Sequence, residues 1–174
     1  MAQRDYDFIK KAVNSLHEEA MHSLRFVQFL NISLSECWDF FSSPNNLKLI
    51  TPVDLGFSMQ APDFSPMYAG QIIRHTIRPI ANIPMEWVTE ITHVEKPYYF
   101  IDEQRFGPYK FWHHEHRFTE KPDGVEMNDI IHYKLHFGIF GELLNTLKVK
   151  GDLETIFSYR QQKLCELFGA ANLS

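Results

Sequence analysis

From Lys110 to Phe118 the chain reads KFWHHEHRF, which sets His113, His114, Glu115 and His116 in consecutive positions. Imidazoles and a carboxylate together can ligate a transition metal, exchange protons near neutral pH, or orient a polar group of a ligand. The flanking Phe111, Trp112 and Phe118 mark the run as a β-strand rather than a helix. On a strand, successive side chains face opposite ways. Trp112, His114, His116 and Phe118 therefore share one face, and Phe111, His113, Glu115 and Arg117 share the other. The four polar groups cannot converge on one ion. His114 and His116 supply two ligands roughly 7 Å apart along the strand, and a metal would need further ligands from neighbouring strands.

The large apolar residues Trp112 and Phe118 at the ends of the run turn the His114 and His116 face toward the core. The same parity on VEMNDIIHYKL sends Val125, Met127, Asp129, Ile131, Tyr133 and Leu135 inward, with Glu126, Asn128, His132 and Lys134 outward. Asp129 is then an inward carboxylate among apolar neighbours. A buried carboxylate without a partner is costly, and His114 or His116 on the adjacent strand is the natural one. Such a patch can be a structural hydrogen-bond cluster, a set of polar groups that orients an apolar ligand, or an acid/base pair of His114 and Asp129. Trp87, Phe100, Trp112 and Tyr133 are candidates for lining a ligand cavity, and Gln104, which shares a face with Asp102, for one more polar contact. Arg74 and Arg78 either meet an acidic ligand group or pair across strands with Glu86 and Glu90. No serine or cysteine has an elbow-like glycine context, and no phosphate-cradling glycine loop occurs.

The elements that must position these residues follow from periodicity. Residues 4 to 20 have the helical spacing of Phe8, Ile9, Ala12, Val13 and Leu16, an amphipathic N-terminal extension ahead of a domain spanning 21 to 174. MHSLRFVQFLNISL alternates as a strand. Two short helices follow, the first capped by Ser35 and the second opened by Pro44. Six strand-like runs then succeed one another: VDLGFSMQ, GQIIRHTIRPI, PMEWVTEITHV, YYFIDEQRF, YKFWHHEHRF and VEMNDIIHYKL. The turn signals between them are short enough for an antiparallel meander. From Leu143 to Phe168 the apolar period becomes helical, and Gly151 marks a bend or a close approach to the sheet. An antiparallel sheet covered by one long C-terminal helix is an α+β architecture, and a sheet bent around that helix leaves room for a cavity.

Composition excludes several classes. With 174 residues, 44% hydrophobic and 15 of them Phe, the chain builds one aromatic-rich core. A net charge of −5 and the lack of a basic cluster argue against nucleic acid. No apolar segment of signal-peptide or membrane-spanning length occurs, so the expectation is a cytoplasmic protein. Cys37 and Cys165, far apart and outside any C-x-x-C motif, read as reduced structural thiols. Monomer and homodimer both stay open.

The strings NLKLITPVDLGF, MYAGQIIRHTIRPI and IPMEWVTEITHVEKPYYFIDEQRFGPYKFWHHEHRFTE, followed by the long C-terminal helix, resemble the SRPBCC superfamily over about residues 22 to 168. Within it, the chain is similar to bacterial ligand-binding and polyketide cyclase/dehydrase-like proteins. The resemblance implies the helix-grip fold, about seven strands around the C-terminal helix, and a hydrophobic cavity for a small lipid- or polyketide-like molecule. It implies no cofactor, and fold alone does not select a function. Under a binding function Trp87, Phe100, Gln104, Trp112, His114, His116, Asp129 and Tyr133 would contact the ligand. Under a cyclase or dehydratase function His114 and Asp129 would be the acid/base pair. Gly107, His114, His116 and Glu120 also approximate the first metal-binding string of the cupins. The glycine spacing is off by one and the second string is absent, so no metal is assigned.

Overall fold

The computed structural model describes residues 21–60, 65–80, 83–136 and 148–169. The expected helix at 4 to 20 lies outside them, as do Leu143, Leu144 and Leu147 of the expected C-terminal helix. Strand β1 (His22–Leu30) leads into helix α1 (Leu34–Phe41), two 3-10 turns (Pro44–Ile50 and Val53–Leu55), and strands β2 (Ser58–Met59), β3 (Ile72–Ile80), β4 (Ile83–Glu95), β5 (Tyr99–Phe106), β6 (Phe111–Lys121) and β7 (Gly124–Lys134). Helix α2 (Lys150–Phe168) follows. The strands form one seven-stranded sheet in the order β1-β7-β6-β5-β4-β3-β2, every described pairing antiparallel. The meander expected from the short turns runs from β2 to β7, and β1 closes it beside β7. This is the helix-grip fold. Among the described residues no helix is long and apolar enough to cross a membrane.

Three local expectations are corrected. Helix α1 is capped by Ser33 rather than Ser35: the Ser33 hydroxyl accepts from Glu36 N while the Glu36 carboxylate accepts from Ser33 N, a reciprocal capping box. Of VDLGFSMQ only Ser58 and Met59 pair as a strand, because Val53–Leu55 closes a 3-10 turn that ends on Gly56 at φ 55°. Gly151 is in the first turn of α2, exposed, and a Cβ there would meet nothing outside its own helix within 4 Å, so it makes no close approach to the sheet.

Two apolar clusters divide the core. One gathers Leu30, Trp38, Phe41, Phe100, Phe118 and Leu164 at the α1 end. The other joins Trp112, Ile131, Tyr133, Leu153 and Phe157 at the opposite end. Along the inner face of β6, Trp112 therefore belongs to one cluster and Phe118 to the other, with His114 and His116 between them.

Candidate functional site

A cavity of about 670 Å³ lies between the inner face of the sheet, the α1 and 3-10 segment, and α2. Its wall is largely apolar, with Phe41, Ile50, Ile77, Trp87, Ile91 and Phe157 among the contributors. Asp102, His114, His116 and Arg160 form one polar group on that wall, where β5 and β6 meet α2, and Asn46, His75, Arg78 and Asp152 are among the other polar residues along it. Strand register produces this. Asp102 pairs with His114 and Phe100 with His116 between β5 and β6, while His116 pairs with Asp129 between β6 and β7.

The four side chains from the sheet form a closed ring. Asp129 Oδ1 lies 2.8 Å from His114 Nε2 and 3.0 Å from His116 Nδ1. Asp102 Oδ2 lies 2.8 Å from His116 Nε2 and 3.5 Å from His114 Nδ1. Each imidazole thus has one nitrogen toward Asp129 and the other toward Asp102. The His116 Nδ1 approach to Asp129 is off the hydrogen-bonding angle despite its short distance. Arg160, 8% exposed on α2, reaches Asp129 Oδ1 at 3.4 Å and lies over the Phe157 ring. Phe100 stacks on His116 at 4.2 Å between centroids, and Phe157 meets His114 edge-on.

Burial and mutual charge fix the protonation pattern. Burial alone would raise Asp129, but the Arg160 charge, the hydrogen bond from His114 and the close approach of His116 outweigh it and hold the carboxyl well below its usual range. Asp102 is likewise held low, against burial, by the hydrogen bond and charge of His116 and by the charge of Arg160. Burial lowers His114, helped by its neighbour His116. His116 is raised, because its hydrogen bond to Asp102 and the adjacent charges of Asp129 and Asp102 overcome burial. With Asp129 ionised and able only to accept, neutral His114 donates from Nε2, and its Nδ1 stands 3.5 Å from Asp102 Oδ2.

His75 is a second polar feature of the wall. It sits between Phe57 and Trp87, 6% exposed, and its Nδ1 has no hydrogen-bond partner. Burial pushes its pKa down to about 4, so it is neutral at physiological pH.

Of the residues expected to contact a ligand, Trp87, Phe100, Trp112, His114 and His116 are on the cavity wall, whereas Gln104, Asp129 and Tyr133 are not. Asp129 stands behind the histidines. Tyr133 is 1% exposed in the second core cluster. Gln104 clamps the β5–β6 turn instead, donating to Tyr109 O at 2.6 Å and accepting from Tyr109 N. A side chain at Gly107 would collide with it. Arg74 pairs across strands with Glu86 as expected, but Glu90 is taken by Arg105, and Arg78 is on the cavity wall. Glu120, the remaining member of the cupin-like string, is exposed at the end of β6 and away from the cavity.

Sequence reasoning missed three members of the site. Asp102 shares its strand face with Phe100, and His75 lies between the inward Ile73 and Ile77. Arg160 falls on the helical stripe of Leu153, Phe157 and Leu164. In each case a polar residue in phase with apolar neighbours was the available signal.

No family model and no curated protein matches the chain. Solved structures do. A protein from Chromobacterium violaceum superposes with a TM-score of 0.66 at 8% identity, covering 86% of this chain and 98% of its own. A Thermus thermophilus protein gives 0.62 at 15% identity over 84% and 99% of the two chains. The ginseng major latex-like protein 151 from Panax ginseng gives 0.62 at 12% identity over 85% and 97%. At such identities the likeness is one of fold.

Proposed function

We propose that the protein binds a small, largely apolar molecule, aromatic or lipid-like, in the cavity between sheet and α2, and orients the ligand's polar group against the His/Asp ring. The observation that carries this is the chemistry of the wall: a largely apolar lining around about 670 Å³, with the buried ring residues Asp102, His114 and His116 grouped together on it. That is the pattern by which a pocket gains affinity from area and orientation from a few hydrogen bonds. His75, buried with an open Nδ1, adds a neutral polar contact on the opposite strands. The polyketide-like class fits because fused aromatic rings can lie against Trp87, Trp112 and Phe157 while their oxygens meet imidazole.

The test is native mass spectrometry of protein purified from its own host, with displacement of a fluorescent apolar probe as a second readout. A released apolar molecule, and probe affinity that falls at least tenfold in Trp87→Ala, are expected. An empty protein that takes up no probe would overturn the proposal.

A second reading has its own support. His114, held by ionised Asp129 and set on the cavity wall, has the arrangement of a general base oriented by a carboxylate. A cyclase or dehydratase would use it to take a proton from an enolisable carbon, with Asp129 as a positioning residue. His114→Gln would then abolish turnover and leave ligand affinity intact. Equal loss of both would sink the enzymatic reading.

A further inference from the structure

We propose that Asp102, His114 and His116 form a binding site for a divalent first-row transition ion of the Zn²⁺ or Fe²⁺ class, with Asp129 as the outer carboxylate that orients His114 and stands beside His116. The inference stands on the geometry of the ring and does not depend on the cavity taking an apolar ligand.

The ligand atoms are of the right kinds and already converge. One oxygen of Asp102 and one nitrogen from each histidine all lie within 4.8 Å of one another. Asp102 Oδ2 is 2.8 Å from His116 Nε2 and 3.5 Å from His114 Nδ1. Ligands held at about 2.0–2.2 Å from one ion are themselves about 3–3.5 Å apart; the two distances to Asp102 are near that range, and the two histidine nitrogens, within 4.8 Å of each other, would close in on a bound ion. Two imidazoles and a carboxylate on one side leave coordination positions free, and here those positions face the cavity, since all three residues are on its wall.

The outer shell is what distinguishes the ring from an ordinary buried ion pair. A metal-bound histidine donates its other ring nitrogen to a carboxylate that fixes its tautomer. Asp129 stands at 2.8 Å and 3.0 Å from the nitrogens of His114 and His116 that point away from Asp102, and Arg160 holds Asp129 in turn. The outer face of β6 offers the contrast. His113, Glu103 and Glu115 are the same residue types, but Arg105 and Arg117 occupy those carboxylates, and no shared inner acceptor aligns a second imidazole. A bound ion would also occupy His114 Nδ1, so a filled centre excludes His114 as a free base.

The test is titration of chelator-treated full-length protein with Zn²⁺ by calorimetry and with Co²⁺ by visible absorption, together with imidazole ¹H–¹⁵N spectra of the wild type. One ion per chain is expected, with resonances of His114 and His116 perturbed and those of His22, His93, His113 and His132 unchanged. Asp102→Asn and His116→Gln should each weaken binding at least tenfold. Asp129→Asn, which touches no ion, should weaken it about 10–100-fold. Circular dichroism checks that the variants fold, and the wild-type spectra decide the site should any fail to. No stoichiometric uptake, or perturbation confined to the surface histidines, would overturn the inference. Probe binding is scored separately: a protein that takes probe but no ion loses the metal site and keeps the ligand proposal, and the reverse result does the opposite.

Discussion

The two faces of β6 carry nearly the same chemistry in different surroundings. Outside, His113, Glu115 and Arg117 join Glu103 and Arg105 in a chain of pairs, with His113 Nδ1 2.9 Å from Glu103 and Arg117 Nη2 2.6 Å from Glu115. Inside, His114 and His116 join Asp102, Asp129 and Arg160. The side chains of Arg117 and His113 are 48% and 22% exposed, those of His114 and Asp129 only 5% and 7%. Distances alone would rank the two networks as equals. Water ranks them differently: it screens the outer pairs and satisfies any member that loses its partner, whereas inside a lost partner leaves a charge with no substitute.

Three outcomes break or sharpen that contrast. The largest is Asp129→Ala, which leaves the buried Arg160 guanidinium without its carboxylate and His114 without its acceptor, and should cost about 3–5 kcal/mol in urea unfolding. A loss below about 1 kcal/mol would mean that water reaches the ring and that the two faces do not differ in kind.

The next concerns His75, a buried imidazole with no carboxylate in contact. Its folded pKa of about 4 lies below the ordinary 6.5 of the unfolded chain. Between those values the unfolded chain holds the proton and the folded chain does not. Stability contributed by neutral His75 is therefore complete above pH 6.5 and declines with acid toward pH 4, by up to about 1.4 kcal/mol per pH unit. His75→Phe should flatten the fall of unfolding free energy across that window. Identical slopes for the two proteins would show that His75 titrates freely. The smallest effect belongs to the outer face: Glu115→Gln should change stability by about 1 kcal/mol or less, and less still in high salt. A larger loss would place the outer network on a par with the inner one.

Much of the fold was legible because strands with one buried face write their parity into the chain. Trp112 and Phe118 set the phase of β6, and Val125 to Tyr133 set that of β7, so His114, His116 and Asp129 were recognisable as inward. Only Asn128 departs from the outward set: it is 8% exposed and holds Arg25 at 2.6 Å, a consequence of β1 covering that edge of β7. The Ser33 capping box was written locally as S-x-x-E and overlooked in favour of Ser35. The role of Gln104 was not legible, since a turn two residues beyond the strand bends back onto its side chain.

By itself, then, the sequence determined which residues face inward, that one sheet pairs with one C-terminal helix, and that polar groups interrupt an apolar face. These depend on near neighbours in the chain, where periods of 2 and 3.6 operate directly. Only the tertiary structure decided which inward groups meet. Asp102 stands opposite His114 because of the β5–β6 register, and a register shift in the β4–β5 pairing between Ile91 and His93 sets how β4 runs beside it. Arg160 meets Asp129 because α2 packs at one particular height on the sheet. Register and helix placement are set by the packing of the whole core, so the ring has no signature within any one segment.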